Sequence, residues 1–174
     1  SMLTTMLQKL NNLKYPTLAV IKGAAFGGGV GLISCCDIAL ASENSIFSLS
    51  EVKVGLIPAT ISPYVINAIG ARNARRLFTS GERFDSNIAK QINLVHEIAK
   101  EEDLEKRISY FINHFKQNGP QAVIAAKKIV LDIFNKEIDD SVISHTCEVI
   151  SALRTSKEGK EGVTAFLEKR NPNW

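Results

Sequence analysis

The stretch "GAAFGGGVGLISCCDIALA", residues 23–41, places five glycines (Gly23, Gly27, Gly28, Gly29 and Gly31) within nine positions and then runs into apolar sequence. Upstream of it, "TLAVIK" (17–22) is a short apolar, β-branched run bounded by Pro16 and Gly23, which reads as a buried strand. Downstream, "DIALA" (37–41) reads as a second strand. A strand, a glycine turn, a helix of about two turns and another strand in so short a span describe an α/β layer with tight crossovers.

A phosphate-binding loop does not account for the glycines. A Walker sequence needs Lys and Ser or Thr directly after its last glycine, whereas Gly28 is followed by Gly29; the dinucleotide pattern would need glycine at position 32, where Leu32 stands. Two readings stay open. In one, bare backbone lets the helix pack tightly on a strand. In the other, the glycines open an oxyanion site, because first-turn N–H groups lack an intrahelical partner and the positive end of the helix dipole lies behind them. Such donors would hold the enolate of a thioester and would need an acid or base at the neighbouring carbons. Asp37, Glu43 and Glu51 are candidates. Glu51 stands out, because it sits at a strand-to-turn boundary among Ile46, Phe47, Leu49, Val52 and Val54. A solvated or ion-paired glutamate is the competing reading.

Elsewhere the patterning is mostly helical. Leu3, Met6, Leu7, Leu10 and Leu13 line one face of a short helix that Pro16 stops. "IFSLSEVKVG" (46–55) begins as a strand and ends in a glycine-capped turn, "ISPYVINAIG" and "ARNARRLFTSG" are helical segments each ending in glycine, and "DSNIAKQINLVHEI" is a helix leading into a small strand. From about Glu101 the chain reads as helical to its end, with Pro120 at a first helical position and Gly119 closing the helix before it. The organisation expected is an α/β part over residues 1–100 and an all-helical part over 101–174.

Composition excludes several classes. The 174 residues carry 21 Lys and Arg against 18 Asp and Glu, with no block of like charge, so nothing calls for an acidic partner. "TTMLQKLNNLKYPT" offers Lys9 and Lys14 alone, too few to neutralise a run of phosphates, and no nucleic acid is expected. No apolar run reaches the roughly 18 residues of a membrane span. Cys35, Cys36 and Cys147 form no disulfide or zinc pattern and read as buried thiols of a reduced, cytoplasmic protein; no metal site is expected. His96, His114 and His145 read as surface or packing histidines, and Arg72, Arg75 and Arg76 as a solvated helix face. Ser1-Met2 reads as a cloning scar before an internal start, and the chain as a fragment.

The segment "PTLAVIKGAAFGGGVGLISCCDIALASENSIFSLSEVKVGLIPA" resembles the signature of the enoyl-CoA hydratase/isomerase (crotonase) superfamily: "G-x-A-x-G-G-G", "CDI-x-x-A" and "F-x-x-x-E-x-x-x-G-x-x-P" in that order. The likeness continues through "AIGARNARRLFTSGERFDSNIAKQINLVHEI" to "EGVTAFLEKRNPNW", and so covers essentially the whole chain, as the C-terminal part of a member. It implies a ββα spiral, truncated at its N-terminus, with a helical C-terminal trimerisation region, a homotrimer or dimer of trimers, and an acyl-CoA thioester as partner. No metal or redox cofactor is implied; coenzyme A enters as part of the substrate. On this resemblance Gly28 matches one of two oxyanion donors and Glu51 the proton-transferring carboxylate, while Phe26, Gly27, Ile57 and Pro58 would line the acyl pocket. Phe166 and Lys169 match a tail that in some members reaches a neighbouring subunit's coenzyme A. The other oxyanion donor normally comes from the N-terminal half.

One departure bears on the reaction. Two-glutamate hydratases carry a second Glu two residues beyond the glycine triplet, where this chain has Gly31. "LSEVKVGLIPATISPYVINAIG" is similar to bacterial proteins assigned as methylglutaconyl-CoA hydratases of leucine breakdown. The expectation is therefore a hydratase of 3-methylglutaconyl-CoA, with an enoyl-CoA isomerase or a non-catalytic acyl-CoA binder as alternatives.

Overall fold

A computed structural model describes residues 2–174; Ser1, the first residue of the suspected scar, lies outside the described residues. The chain forms two compact units, one of residues through Leu13 and Thr17–Ile108, the other of Lys14–Pro16 and Ser109–Trp174.

The first unit opens with α1 (Met2–Asn11), in which Leu7 is fully buried and Leu10 packs against the core. The rest of its expected apolar face is not seated: Leu3, Met6 and Leu13 are exposed. Next come β1 (Leu18–Ile21), β2 (Ala24–Phe26), α2 (Gly28–Ser34), β3 (Ile38–Ser42) and β4 (Ile46–Ser48). After a 3-10 turn over Glu51–Val54, α3 (Ser62–Ser80) leads to β5 (Arg83–Asp85), α4 (Ser86–Gln91) and β6 (Glu97–Ala99). The strands form two small sheets. One is parallel throughout, in the order β1-β3-β6; in the other, ordered β2-β4-β5, β4 lies parallel to β2 and antiparallel to β5. Each parallel step is a crossover, and the glycine helix α2 lies in the connections from β1 to β3 and from β2 to β4.

Val30 and Ile33 of α2, Phe47 and Leu49 around β4, and Val65, Ile69 and Leu77 of α3 fill the core, with Phe47 stacked on Phe84 at 5.5 Å between ring centroids. Three buried serines tie loops to strands. Ser45 Oγ donates to the Ile21 carbonyl, Ser48 Oγ to that of Gly81, and Ser86 Oγ to that of Ser42.

The two glycine-ended helical segments form one element, α3, whose continuity breaks at Gly70 (φ 75°, ψ 155°). Gly81 closes it in the left-handed conformation. β2 and β5, three residues each, were not expected from the sequence.

The second unit contains most of α5 (Leu104–Gln117), then α6 (Pro120–Ile133), α7 (Asp140–Thr155) and α8 (Lys157–Leu167). Asp139 and Ser156 cap α7 and α8 by accepting from the N–H groups of Val142 and Gly159. Gly119 does not close α5, as expected above; it caps the start of α6 with φ −59°, and a side chain there would meet the Glu158 carboxylate, which accepts from the N–H groups of Gln121 and Ala122. Among the described residues no helix is long and apolar enough to cross a membrane.

Candidate active site

β2 ends where the backbone turns left-handed at Gly27 (φ 48°), and α2 starts one residue later. Gly27 N–H donates to the Ser48 carbonyl at 2.9 Å, which pins the mouth of α2 to the end of β4. The Gly27 carbonyl accepts from Gly31 N–H at 3.2 Å as the first turn closes. Gly28 is exposed, its N–H meets no acceptor among the described residues, and the space where a Cβ would stand is open. A donor at the positive end of a helix therefore faces outwards.

The acid beside Gly27 is Glu51. It starts the 3-10 turn just after β4, and its carbonyl accepts from Leu56 N–H at 3.0 Å, holding the turn that Gly55 completes with φ 73°. A Cβ on Gly27 would lie 2.8 Å from Glu51 Oε1, so glycine is needed there for approach as well as for backbone angle. Glu51 Oε2 is buried and has no hydrogen-bond partner among the described residues. A buried carboxylate oxygen without a hydrogen-bond partner is costly to keep, which makes Glu51 the candidate acid of this site.

Of the other two candidate acids, Asp37 has structural work. Asp37 Oδ2 accepts from the N–H and the hydroxyl of Thr17 at 2.7 and 2.9 Å, fastening the start of β3 to that of β1. Glu43 is exposed. His96 uses Nδ1 to accept Ala39 N–H at 3.0 Å. Among the described residues no three His, Cys, Asp or Glu side chains cluster as metal ligands would. Of the three cysteines only Cys35 is buried, not all three as read from the sequence; burial, with Cys36 adding to it, pushes its thiol up to about 11.

The remaining candidates fall in different environments. Phe26, at the end of β2, keeps 38% of its surface exposed; Ile57 is 71% exposed, whereas Pro58 is buried. Phe166 and Lys169 belong to the second unit, both exposed, with Lys169 in a left-handed conformation (φ 54°) just after α8. Arg76 is not simply solvated, since it forms a two-point ion pair with Glu82 at 2.8 and 3.0 Å.

Two residues at the site carried no signal in the sequence. Ile61, the cap of α3, is buried against α2: a Cβ on Gly31 would collide with Ile61 Cγ2 and lie 2.7 Å from Ile61 Cβ. The space into which any side chain at position 31 would project is filled by an apolar one. Arg83, on β5, lays its guanidinium over the Phe26 ring, 5.5 Å from the centroid.

A model of the enoyl-CoA hydratase/isomerase family matches residues 1–174. The chain is 33% identical over 161 residues to the enoyl-CoA hydratase ACTT6 of Alternaria alternata, covering 91% of this chain and 53% of that protein. It is also 33% identical over 168 residues to the mitochondrial Delta(3,5)-Delta(2,4)-dienoyl-CoA isomerase of Dictyostelium discoideum, covering 95% of this chain and 57% of that one. Among solved structures, an enoyl-CoA hydratase from Shewanella pealeana superposes with a TM-score of 0.94 at 44% identity, over 99% of this chain and 64% of that one. The chain thus spans little more than half the length of the two curated relatives.

Proposed function

Because the chain belongs to the enoyl-CoA hydratase/isomerase family, with the α/β crotonase fold and its helical C-terminal region, we propose that it supplies the proton-transfer half of an acyl-CoA site. The thioester carbonyl oxygen accepts the Gly28 N–H, and charge that moves onto this oxygen as an enolate forms is held at the head of α2. Glu51 moves the proton. In hydration it takes one from water as the oxygen adds to the β-carbon, then gives it to the α-carbon as the enolate collapses. Phe26, Gly27, Ile57 and Pro58 shape the acyl pocket, and the exposed Phe166 and Lys169 reach towards the coenzyme A of a neighbouring subunit. The substrate proposed is 3-methylglutaconyl-CoA, supported by the motif likeness around Glu51.

The observation that carries this reading is the buried, unpartnered Glu51 Oε2 beside Gly27, at the open end of α2. The test follows the enoyl-thioester absorbance with 3-methylglutaconyl-CoA, in the longest form of the protein its gene encodes. Glu51→Gln should abolish turnover and leave acyl-CoA affinity nearly unchanged. Turnover surviving that substitution would remove Glu51 from the mechanism.

A second reading, isomerisation, is favoured by Ile61. With Ile61 filling the space at Gly31, Glu51 is the one carboxylate matched to the chemistry, and a single base can carry a proton from one carbon to another without activating water. Deuterium uptake from D2O at the α-carbon of an enoyl-CoA, with no loss of the double bond to hydration, would select isomerisation. Acyl-CoA binding with neither reaction would leave a binder.

Unit two exposes Phe134, Ile138, Ile150, Phe166 and Leu167, an apolar surface suited to covering by further copies of the chain in a trimer. Sedimentation of the full protein at micromolar concentration should give a trimer or hexamer mass, and a monomer would refute the assembly.

A further inference from the structure

The mechanism makes no use of Arg83, whose position is set by sheet register. Phe26 of β2 pairs with Ser48 of β4, and Ser48 pairs with Arg83 of β5, so the three form one row across the sheet. The Arg83 side chain crosses β4 and places its guanidinium 5.5 Å from the centre of the Phe26 ring. Among the described residues the Arg83 side chain forms no hydrogen bond and no ion pair, although Arg76, Arg107 and Arg170 each have a carboxylate partner. The ring face holds the cation without neutralising it, and all five N–H donors remain open.

On the acyl-CoA reading above, Phe26 lines the acyl pocket, and this cation lies against its ring. Phe26 immediately precedes Gly27, whose Cα approaches the Glu51 carboxylate, and lies two residues before Gly28. A guanidinium there faces an anion only a few bonds from the reacting carbons. The phosphates of coenzyme A lie at the far end of the pantetheine arm. A flat fork of donors fits a carboxylate with two parallel hydrogen bonds, which a lysine in its place would not supply.

We propose that Arg83, stacked on Phe26, binds a carboxylate at the distal end of the acyl chain and thereby selects CoA esters of dicarboxylic acids over those of simple fatty acids. The assignment rests on the acyl-CoA reading above and adds to it the residue that recognises the acyl chain. Both candidate ligand groups, acyl carboxylate and coenzyme A phosphate, are anionic oxygens, and the test separates them.

The experiment is calorimetric titration of the longest gene-encoded form with glutaryl-CoA and with pentanoyl-CoA, esters of equal chain length that differ in the terminal carboxylate. The wild type should bind glutaryl-CoA about tenfold or more tightly than pentanoyl-CoA. Arg83→Gln should erase that difference and leave pentanoyl-CoA binding as it was; Arg83→Lys should keep part of it. Equal weakening of both esters by Arg83→Gln would assign the residue to a phosphate and overturn the proposal, as would no change in either. Failure of the wild type to bind any CoA ester would be visible before any substitution, and would bring down the underlying reading together with this one. Equal binding of the two esters by the wild type would overturn the Arg83 assignment alone.

Discussion

Gly27 and Gly31 lie four residues apart, one at the cap of α2 and one inside it, and they serve opposite ends. At Gly27 the missing side chain admits a reactive group, the Glu51 carboxylate; at Gly31 it admits an inert one, the Ile61 side chain. Gly27→Ala adds a Cβ at φ 48° and ψ −112°, a strained conformation for any residue but glycine, which costs roughly 1–3 kcal/mol before its collision with Glu51 Oε1 is counted. The expected outcome is a lower denaturant midpoint together with lost turnover, because the carboxylate has to move. Gly31→Ala overpacks α2 against α3 and should cost about 1–3 kcal/mol in urea unfolding. Ile61→Ala in the same chain should return part of that loss, a coupling that a double-mutant cycle reads directly. The sequence sets Glu51 among apolar neighbours, and the fold leaves the residue half-buried with Oε2 enclosed, although Ile46 and Val54 beside it are exposed. Ile61 and Arg83 were not legible in the sequence, since each acts across a gap that local spacing does not encode: α3 folding back over α2, and one strand reaching across another.

Elements were legible in proportion to their length and the strength of their end signals. Asp139, Ser156 and Pro120 mark helix starts by satisfying first-turn N–H groups or doing without one, and these starts stand where the residues place them. β2 and β5 have no such marks. Three residues cannot show an alternation, and they are strands because β4 lies between them and accepts both pairings. Gly119 misled for a related reason: a glycine after a helix looks like a stop, but here φ is −59° and a side chain is excluded by Glu158 of α8, distant in sequence. Gly70 makes the converse point. Its φ of 75° with ψ of 155° belongs to glycine alone, and nothing stands within 4 Å of where its Cβ would be. Gly70→Ala should therefore destabilise through backbone strain only, by roughly 1–3 kcal/mol in thermal or urea unfolding. No second-site substitution of a neighbour should relieve it, in contrast to Gly31.

Across the molecule, the last residues of the chain give a pH-dependent signal. Arg170 holds Glu161 through both carboxylate oxygens at 2.6 and 3.1 Å, and Asn173 N–H donates to the same group at 2.8 Å. The Arg170 hydrogen bonds first, and then that of Asn173, pull the Glu161 carboxyl down from 4.5 to about 2. A depressed carboxyl contributes its anchoring fully above 4.5 and loses it as pH falls towards 2. Trp174, the one tryptophan, packs on Gly162 and reports on this tail. Its fluorescence should stay constant from neutral pH down to 4.5 and change as pH falls on towards about 2, and Glu161→Gln should show the changed signal already at neutral pH. By itself the sequence determined the α/β character, the glycine turn opening a helix, the acid among apolar neighbours and the helical second part, because each rests on contacts between residues close in the chain. Only the tertiary structure decided that position 31 faces Ile61, that Glu51 Oε2 is buried without a partner, and that Arg83 lies over Phe26. Those facts depend on which segments meet, and that is settled by packing between elements far apart in sequence.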